Sequence, residues 1–270
     1  MSVMNRSQIL NYSFKNFQSV GQIHSTCGFY IAGTGRNEDT CEQPFQSLAI
    51  VRPTVTMASA IRGGQFGACP VLTVTSLEVR RGDIGLLRDL SFELSPGQTA
   101  LVTGANGSGK TSLLRVLAGL AVPAAGRVAW RGSDVHRLPP ESRGDIAYLG
   151  HLDGLKRELT VDENLSFCRS FWNGPDLIGS LTAELRLASC RDREVRRLSA
   201  GQRRRVALAC MRLKPASFWL LDEPLTNLDA PGTDLAVNWL TEHTAAGGIA
   251  VVSTHRPERL AGAASIEVAL

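Results

Sequence analysis

The stretch that decides the fold runs from Gln98 to Leu120, QTALVTGANGSGKTSLLRVLAGL. It opens on a short apolar strand and passes through Gly104-Ala105-Asn106-Gly107-Ser108-Gly109-Lys110-Thr111. It then continues as a helix with Leu113, Leu114, Leu117 and Leu120 on one side. The octet fits G-x-x-x-x-G-K-[ST], with the strand before it and the helix after it that the motif requires. Its glycines let backbone N–H groups converge on phosphate oxygens without obstruction, and the helix N-terminus adds favourable potential. In this reading Lys110 bridges the β- and γ-phosphates, Thr111 ligates Mg²⁺, and Ser112 completes the ATP-binding run. The purely structural alternative is a glycine turn capping a helix. The complete octet in context favours a nucleoside triphosphate, without saying which machine uses it.

Outward from this stretch the chain alternates strands and helices. VLTVTSLEV (71–79) and LLRDLSFEL (86–94) read as two strands joined by a turn at Arg81-Gly82-Asp83. GRVAWRG (126–132) and DIAYLG (145–150) are further strands, and residues 160–197 are helical with polar faces. QRRRVALACMRL (202–213) is a helix, SFWLLDEP (217–224) a buried strand, DLAVNWLTEHT (234–244) a helix and GGIAVVSTH (247–255) another buried strand. This order predicts an α/β fold with a largely parallel central sheet.

Two further motifs carry chemistry. Phe218 to Glu223 is an apolar strand that delivers two carboxylates at its C-terminal edge, where α/β sheets bind ligands. Asp222 is placed to hold Mg²⁺ through water, and Glu223 to polarise an attacking water. Alone, the same residues read as a strand end turning at Pro224. Leu198-Ser199-Ala200-Gly201-Gln202 leads into a helix, so Ser199 can donate to a phosphate and Gly201 permits close backbone approach.

The ordered set of P-loop, LSAGQ, LLDEP, Leu228-Asp229 and Ser253-Thr254-His255 resembles the ATP-binding cassette family over residues 71–270. The resemblance implies a P-loop cassette with a parallel core sheet, an antiparallel β subdomain and a small helical subdomain at about 152–200. It implies ATP and Mg²⁺ as cofactors and ATP hydrolysis as the activity. It also implies a second copy of the chain, arranged head to tail, whose Ser199, Gly201 and Gln202 complete the opposite ATP site. His255 then contacts the γ-phosphate, and Asp229 belongs to the loop coupling the two sites.

YLGHLDGLKRELTVDENLSF (148–167), LSAGQRRRVALA (198–209) and WLLDEPLTNLD (219–229) resemble the ATP-binding subunits of haem exporter complexes used in cytochrome c maturation. His151 stands where most cassettes carry glutamine, and a histidine there suits the haem-exporter group. By this resemblance His151 joins Glu223 and His255 at the catalytic edge, as an imidazole in place of an amide. The partners implied are integral membrane subunits of a haem exporter, at the cytoplasmic face of the bacterial inner membrane. A cassette of another small-substrate exporter is the alternative. Three departures stand out: Arg81 replaces an adenine-stacking aromatic, Ala200 a glycine and Cys210 an arginine.

The whole chain sets the remaining bounds. With 270 residues, 43% hydrophobic and a net charge of +4, the composition is that of an ordinary globular protein. Six scattered cysteines form no CxxC or zinc pattern, and no apolar run is long enough to span a membrane. Seven arginines lie between Arg191 and Arg205 with no aromatic residues interleaved for base stacking. They read as a solvated helical face near nucleotide phosphates, and no nucleic-acid partner is expected. Residues 1–70 are polar and without periodicity, and read as a disordered extension or a non-native start ahead of Met57.

Overall fold

Thr99–Thr103 (β4), Phe218–Asp222 (β8) and Ile249–Ser253 (β9) have no polar face to turn toward solvent. A computed structural model, which describes residues 54–57 and 71–270, places them at the centre of a six-stranded sheet. With Thr54–Met57 (β1), Ile146–Leu149 (β7) and Ile266–Ala269 (β10) added, the order is β1-β10-β4-β9-β8-β7. All pairs are parallel except β1, which runs antiparallel to β10.

Alternate residues of these strands feed two separate cores. Phe218, Leu220, Val251 and Val102 face one core, shared with Leu113, Leu114 and Leu117 of helix Lys110–Leu117 (α1). Trp219, Leu221, Val252 and Leu101 face the other, shared with Val161–Trp172 (α3), Ala200–Arg212 (α5) and Ala230–Ala245 (α6). Burying one such aliphatic side chain stabilises the fold by roughly 1.5–3 kcal/mol relative to exposure. Coverage on both faces is why these strands show no polar alternation in sequence.

A second, antiparallel sheet contributes to the first core. It comprises Leu72–Arg81 (β2), Ile84–Leu94 (β3), Ala125–Trp130 (β5) and Ser133–Asp134 (β6), in the order β3-β2-β5-β6. Gly82, with φ of 59°, makes the tight turn between β2 and β3. A short helix, Pro140–Arg143 (α2), precedes β7, and Ile178–Glu184 (α4) follows α3. Helices α3 and α4 lie within the stretch 152–200.

Three boundaries differ from the sequence reading. Helix α1 ends at Leu117, with Gly119 at φ of 70°, so Leu120 lies beyond it. Helix α6 begins at Ala230 rather than Asp234, because Asp229 caps it by accepting from the Gly232 N–H at 3.1 Å and Pro231 suits a first turn. The edge strand β1 falls within the extension expected at 1–70, whose remaining residues up to 70 lie outside the described ones. Strand β10, at the end of the sequence, was not anticipated either.

The topology positions the site. Parallel strands end along one edge, and the register pairs Leu149 with Leu221, Asp222 with Ser253, and Ser253 with Val102. The segments that follow β7, β8, β9 and β4 therefore leave the sheet side by side.

Candidate active site

The loop after β4 is built around glycines. Gly104, Gly107 and Gly109 have φ of 143°, 85° and 105°, which side-chain-bearing residues rarely adopt. A Cβ on Gly104 would lie 2.5 Å from the Leu270 carbonyl oxygen. Ala105, Asn106 and Gly107 are exposed at the tip of the loop. Lys110 is buried, and its Nζ donates to the carbonyls of Gly104 at 2.8 Å and Ala105 at 3.0 Å. The buried Ser108 Oγ has no hydrogen-bond partner among the described residues. No side chain caps the N-terminus of α1, so its first N–H groups remain available to an anion. Together these features form a phosphate cradle.

The loops after β8 and β9 meet this cradle. Thr111 Oγ1 donates to Asp222 Oδ2 at 2.8 Å, and Ser253 Oγ donates to Asp222 Oδ1 at 2.6 Å. Asp222 is almost wholly buried, so these two bonds fix its carboxylate. The Glu223 N–H donates to Ser253 Oγ at 3.1 Å and to Ser253 O at 3.2 Å. Glu223 Oε2 accepts from the His255 N–H at 3.3 Å, and Oε1 lies 3.1 Å from His255 Nε2. Glu223 itself has φ of 51°, a left-handed conformation costing about 1–2 kcal/mol for a residue with a Cβ. Strain of this kind persists only where neighbours hold it.

Among the described residues, no group of three or more His, Cys, Asp or Glu side chains could enclose a metal. The donors present, a threonine hydroxyl and a buried carboxylate bonded to each other, are hard oxygen ligands. That set fits Mg²⁺, which takes few protein ligands and completes its shell with phosphates and water.

The other expected site residues lie elsewhere in the contact network. Ser199 Oγ accepts from the Gln202 N–H at 3.2 Å, and Gln202 Oε1 accepts from the Ser199 N–H at 3.0 Å. The pair is a capping box for α5, a structural role in its own right. A Cβ on Gly201 would lie 2.7 Å from the Asn227 carbonyl oxygen, so close packing against that loop requires glycine. Asp229 accepts from Arg205 Nη2 at 2.6 Å, and this bond holds its carboxyl below the usual range. Among the described residues, none of these groups bonds to Lys110, Thr111, Asp222 or Glu223. Ser112 is partly buried and follows the cradle on α1. His151 is exposed and makes no side-chain hydrogen bond among the described residues.

The arginine cluster requires a correction. Arg191 pairs with Asp162, Arg196 with Glu194 and Arg205 with Asp229 at 2.8, 2.7 and 2.6 Å. Arg204, by contrast, is only 3% exposed and is no part of a solvated face. Its Nη2 donates to the carbonyls of Asp222 and Glu223, both at 2.8 Å. Its Nη1 donates to the Gly150 carbonyl at 2.9 Å, and its Nε to that of Pro224 at 3.3 Å. Burial pulls its pKa below the usual arginine value, and Asp153, 3.5 Å away, opposes that. The sequence does contain a signal for this: Arg204, Ala207, Leu208 and Met211 follow helical spacing, which puts Arg204 on the buried face of α5. The Ser253 hydroxyl, which the sequence presents only as part of the Ser-Thr-His run, bridges Asp222 and Glu223.

The family profile described as ABC transporter matches residues 87–226. The "Cytochrome c biogenesis ATP-binding export protein CcmA 2" of Cupriavidus metallidurans is 46% identical over 189 residues, covering 69% of this chain and 90% of that protein. The protein of the same designation, without the numeral, from Escherichia coli strain K12 is 40% identical over 191 residues, covering 71% and 92%. A solved structure titled "Structure of ATP binding subunit of ABC transporter" superposes with a TM-score of 0.63 at 24% identity, covering 70% of this chain and 81% of that one. At that identity the superposition speaks for the fold alone.

Proposed function

From the premise that this chain belongs to the ABC transporter family of ATP-binding proteins, we propose that it is the ATP-hydrolysing subunit of a haem-exporter-type complex for c-type cytochrome biogenesis. The observation that carries the hydrolytic reading is the 2.8 Å bond from Thr111 to Asp222, which joins the phosphate cradle to the carboxylate edge. The names of the relatives, cytochrome c biogenesis export proteins, support the cellular role.

The chemistry assigns each group a task. When ATP enters, Lys110 exchanges the carbonyls of Gly104 and Ala105 for the β- and γ-phosphates, a stronger charge-assisted contact. The amides of residues 104–112 and the Ser108 hydroxyl take the remaining phosphate oxygens. Thr111 and Asp222 would hold Mg²⁺, which when bound would supply positive charge to offset the negative charge developing on the transferred phosphoryl group. Glu223 accepts a proton from water as the water oxygen bonds to the γ-phosphorus. The bond from that phosphorus to the bridging oxygen breaks, and ADP leaves with its electron pair. His255 orients the Glu223 carboxylate and faces the γ-phosphate. His151, on the neighbouring loop, meets the same edge.

Ser199, Gly201 and Gln202 are assigned to the ATP site of a second copy, arranged head to tail. Their lack of bonds to the chain's own cradle, among the described residues, supports this. Integral membrane subunits of a haem exporter are the remaining partners, which would hold the chain at the cytoplasmic face of the inner membrane. No helix among the described residues is long and apolar enough to cross a membrane.

The test is a purified complex of the chain with its membrane subunits. It should hydrolyse ATP, and Glu223→Gln should remove turnover and cytochrome c maturation together. A complex that turns over ATP normally but has no bearing on cytochrome c maturation would separate the ATPase from the pathway.

A further inference from the structure

Arg204 is the most deeply buried cation of the chain's catalytic edge, and the hydrolytic reading gives it no task. Its guanidinium donates to four backbone carbonyls on two loops. One is Gly150, the residue before His151; the others are Asp222, Glu223 and Pro224. Its hydrogen bonds go to these peptide carbonyls, with Asp153 at ion-pair distance, and among the described residues it bonds to neither the Asp222 nor the Glu223 carboxylate. The segment from Asp222 to Pro224 contains the left-handed Glu223, at φ of 51°. The Asp222–Glu223 peptide is held from both sides: Ser253 accepts from its N–H, on Glu223, and Arg204 donates to its carbonyl, on Asp222.

We infer that Arg204 is a positioning residue for hydrolysis, locking the Glu223 turn to the His151 loop so that the two move as one unit. The inference rests on the reading of Glu223 as the general base. The planar fork of arginine is what makes the lock possible, because its donors diverge from one rigid plane toward separate carbonyls. A lysine keeps the charge but concentrates its donors on one nitrogen, and cannot serve both loops with the same geometry. Asp153 Oδ1, 3.5 Å from Arg204 Nη1, is the carboxylate at ion-pair distance among the described residues. It lies on the His151 loop, so the charge pair strengthens the same link. Packing alone would not need this arrangement: an apolar side chain could fill the buried face of α5 without desolvating a cation.

The experiment compares Arg204→Lys, Glu223→Gln and the double variant in the assembled complex. It measures thermal stability, ATP affinity by nucleotide titration and single-turnover hydrolysis per folded complex. Arg204→Lys should slow hydrolysis by roughly 10- to 100-fold, the scale of a small misplacement of a catalytic group. ATP affinity should stay within about 3-fold, because the phosphate contacts are made elsewhere. In the Glu223→Gln background the Arg204→Lys change should alter the residual rate by less than about 2-fold, since a residue acting through Glu223 has nothing left to position. Lost stability with unchanged turnover per folded complex would reduce Arg204 to a packing role and overturn the inference. Losses that multiply in full in the double variant would do the same. A Glu223→Gln complex hydrolysing at the parent rate would instead sink the general-base reading, and this inference with it. If Arg204→Lys fails to fold, Asp153→Asn decides in its place: about a 3-fold fall in turnover at unchanged ATP affinity is expected from weakening the network, and a parental rate overturns the inference.

Discussion

The two regions that carry the proposed nucleotide-site residues are built differently. Around Thr111, Asp222, Ser253, Glu223 and His255, groups from α1 and from the ends of β8 and β9 bond to one another across the sheet edge. Around Ser199 and Gln202, each side chain accepts from the other residue's backbone N–H, as a helix cap. The first region is wired to act within one chain. The second spends its hydrogen bonds locally, on the start of α5. The contrast also separates two kinds of stability. Removing a member of the first region leaves a buried carboxylate without its partner, whereas removing the cap costs about 1 kcal/mol of helix stability.

Substitutions can break or sharpen this comparison. The largest effect is expected from Glu223→Gln, which should retain ATP binding, trap an ATP-bound dimer and slow hydrolysis by roughly 10²–10⁴-fold. A parental rate in a single-turnover assay would move the base elsewhere. Lys110→Ala should weaken ATP binding by roughly 10- to 100-fold, the scale of a lost charge-assisted contact. An unchanged binding isotherm would contradict the phosphate cradle.

Ser199→Ala tests the other half. It should leave ATP affinity of the isolated chain unchanged while lowering hydrolysis by the assembled complex by roughly 10- to 100-fold, as expected when one hydrogen bond to a charged phosphate is lost. Because the cap is lost too, stability must be measured on the same samples. A fall in affinity in the isolated chain, matching that of Lys110→Ala, would erase the distinction between the two regions.

His151→Ala should be milder: near-normal ATP affinity, several-fold lower turnover and impaired cytochrome c maturation, with His151→Gln milder still. If both variants change only the melting temperature, His151 is a surface residue at a strand end. The smallest effect is expected from starting the chain at Met57. This removes Thr54, Val55 and Thr56 from the edge strand β1 and should leave ATPase activity intact. A cost of about 1 kcal/mol would lower the melting point by roughly 2–4 °C. A chain that no longer folds would make the upstream segment part of the core.

The phosphate cradle was legible in the sequence because its physics is local. Three glycines, a lysine and a helix start act within one turn of chain, and spacing alone encodes them. The parallel sheet was legible for a related reason: strands buried on both faces must be continuously apolar. The helix at Ser199 was legible as a possible phosphate donor, and its capping box equally as a structural device. Spacing does not distinguish the two.

What only the tertiary structure decided are the partners across the sheet edge. Thr111 meets Asp222, 111 positions away in the chain, through the register that sets β4, β9 and β8 side by side. The burial of Arg204 was decided the same way. Helical spacing puts Arg204 on the same face as Ala207, Leu208 and Met211, but only the packing of α5 against the sheet takes that face, and the guanidinium with it, out of water. Once desolvated, a guanidinium must spend its donors on whatever acceptors surround it, and here these are the carbonyls of the loops that carry Glu223 and His151. Local sequence encodes local hydrogen-bonding geometry. Which distant groups share a buried space is settled by register and packing.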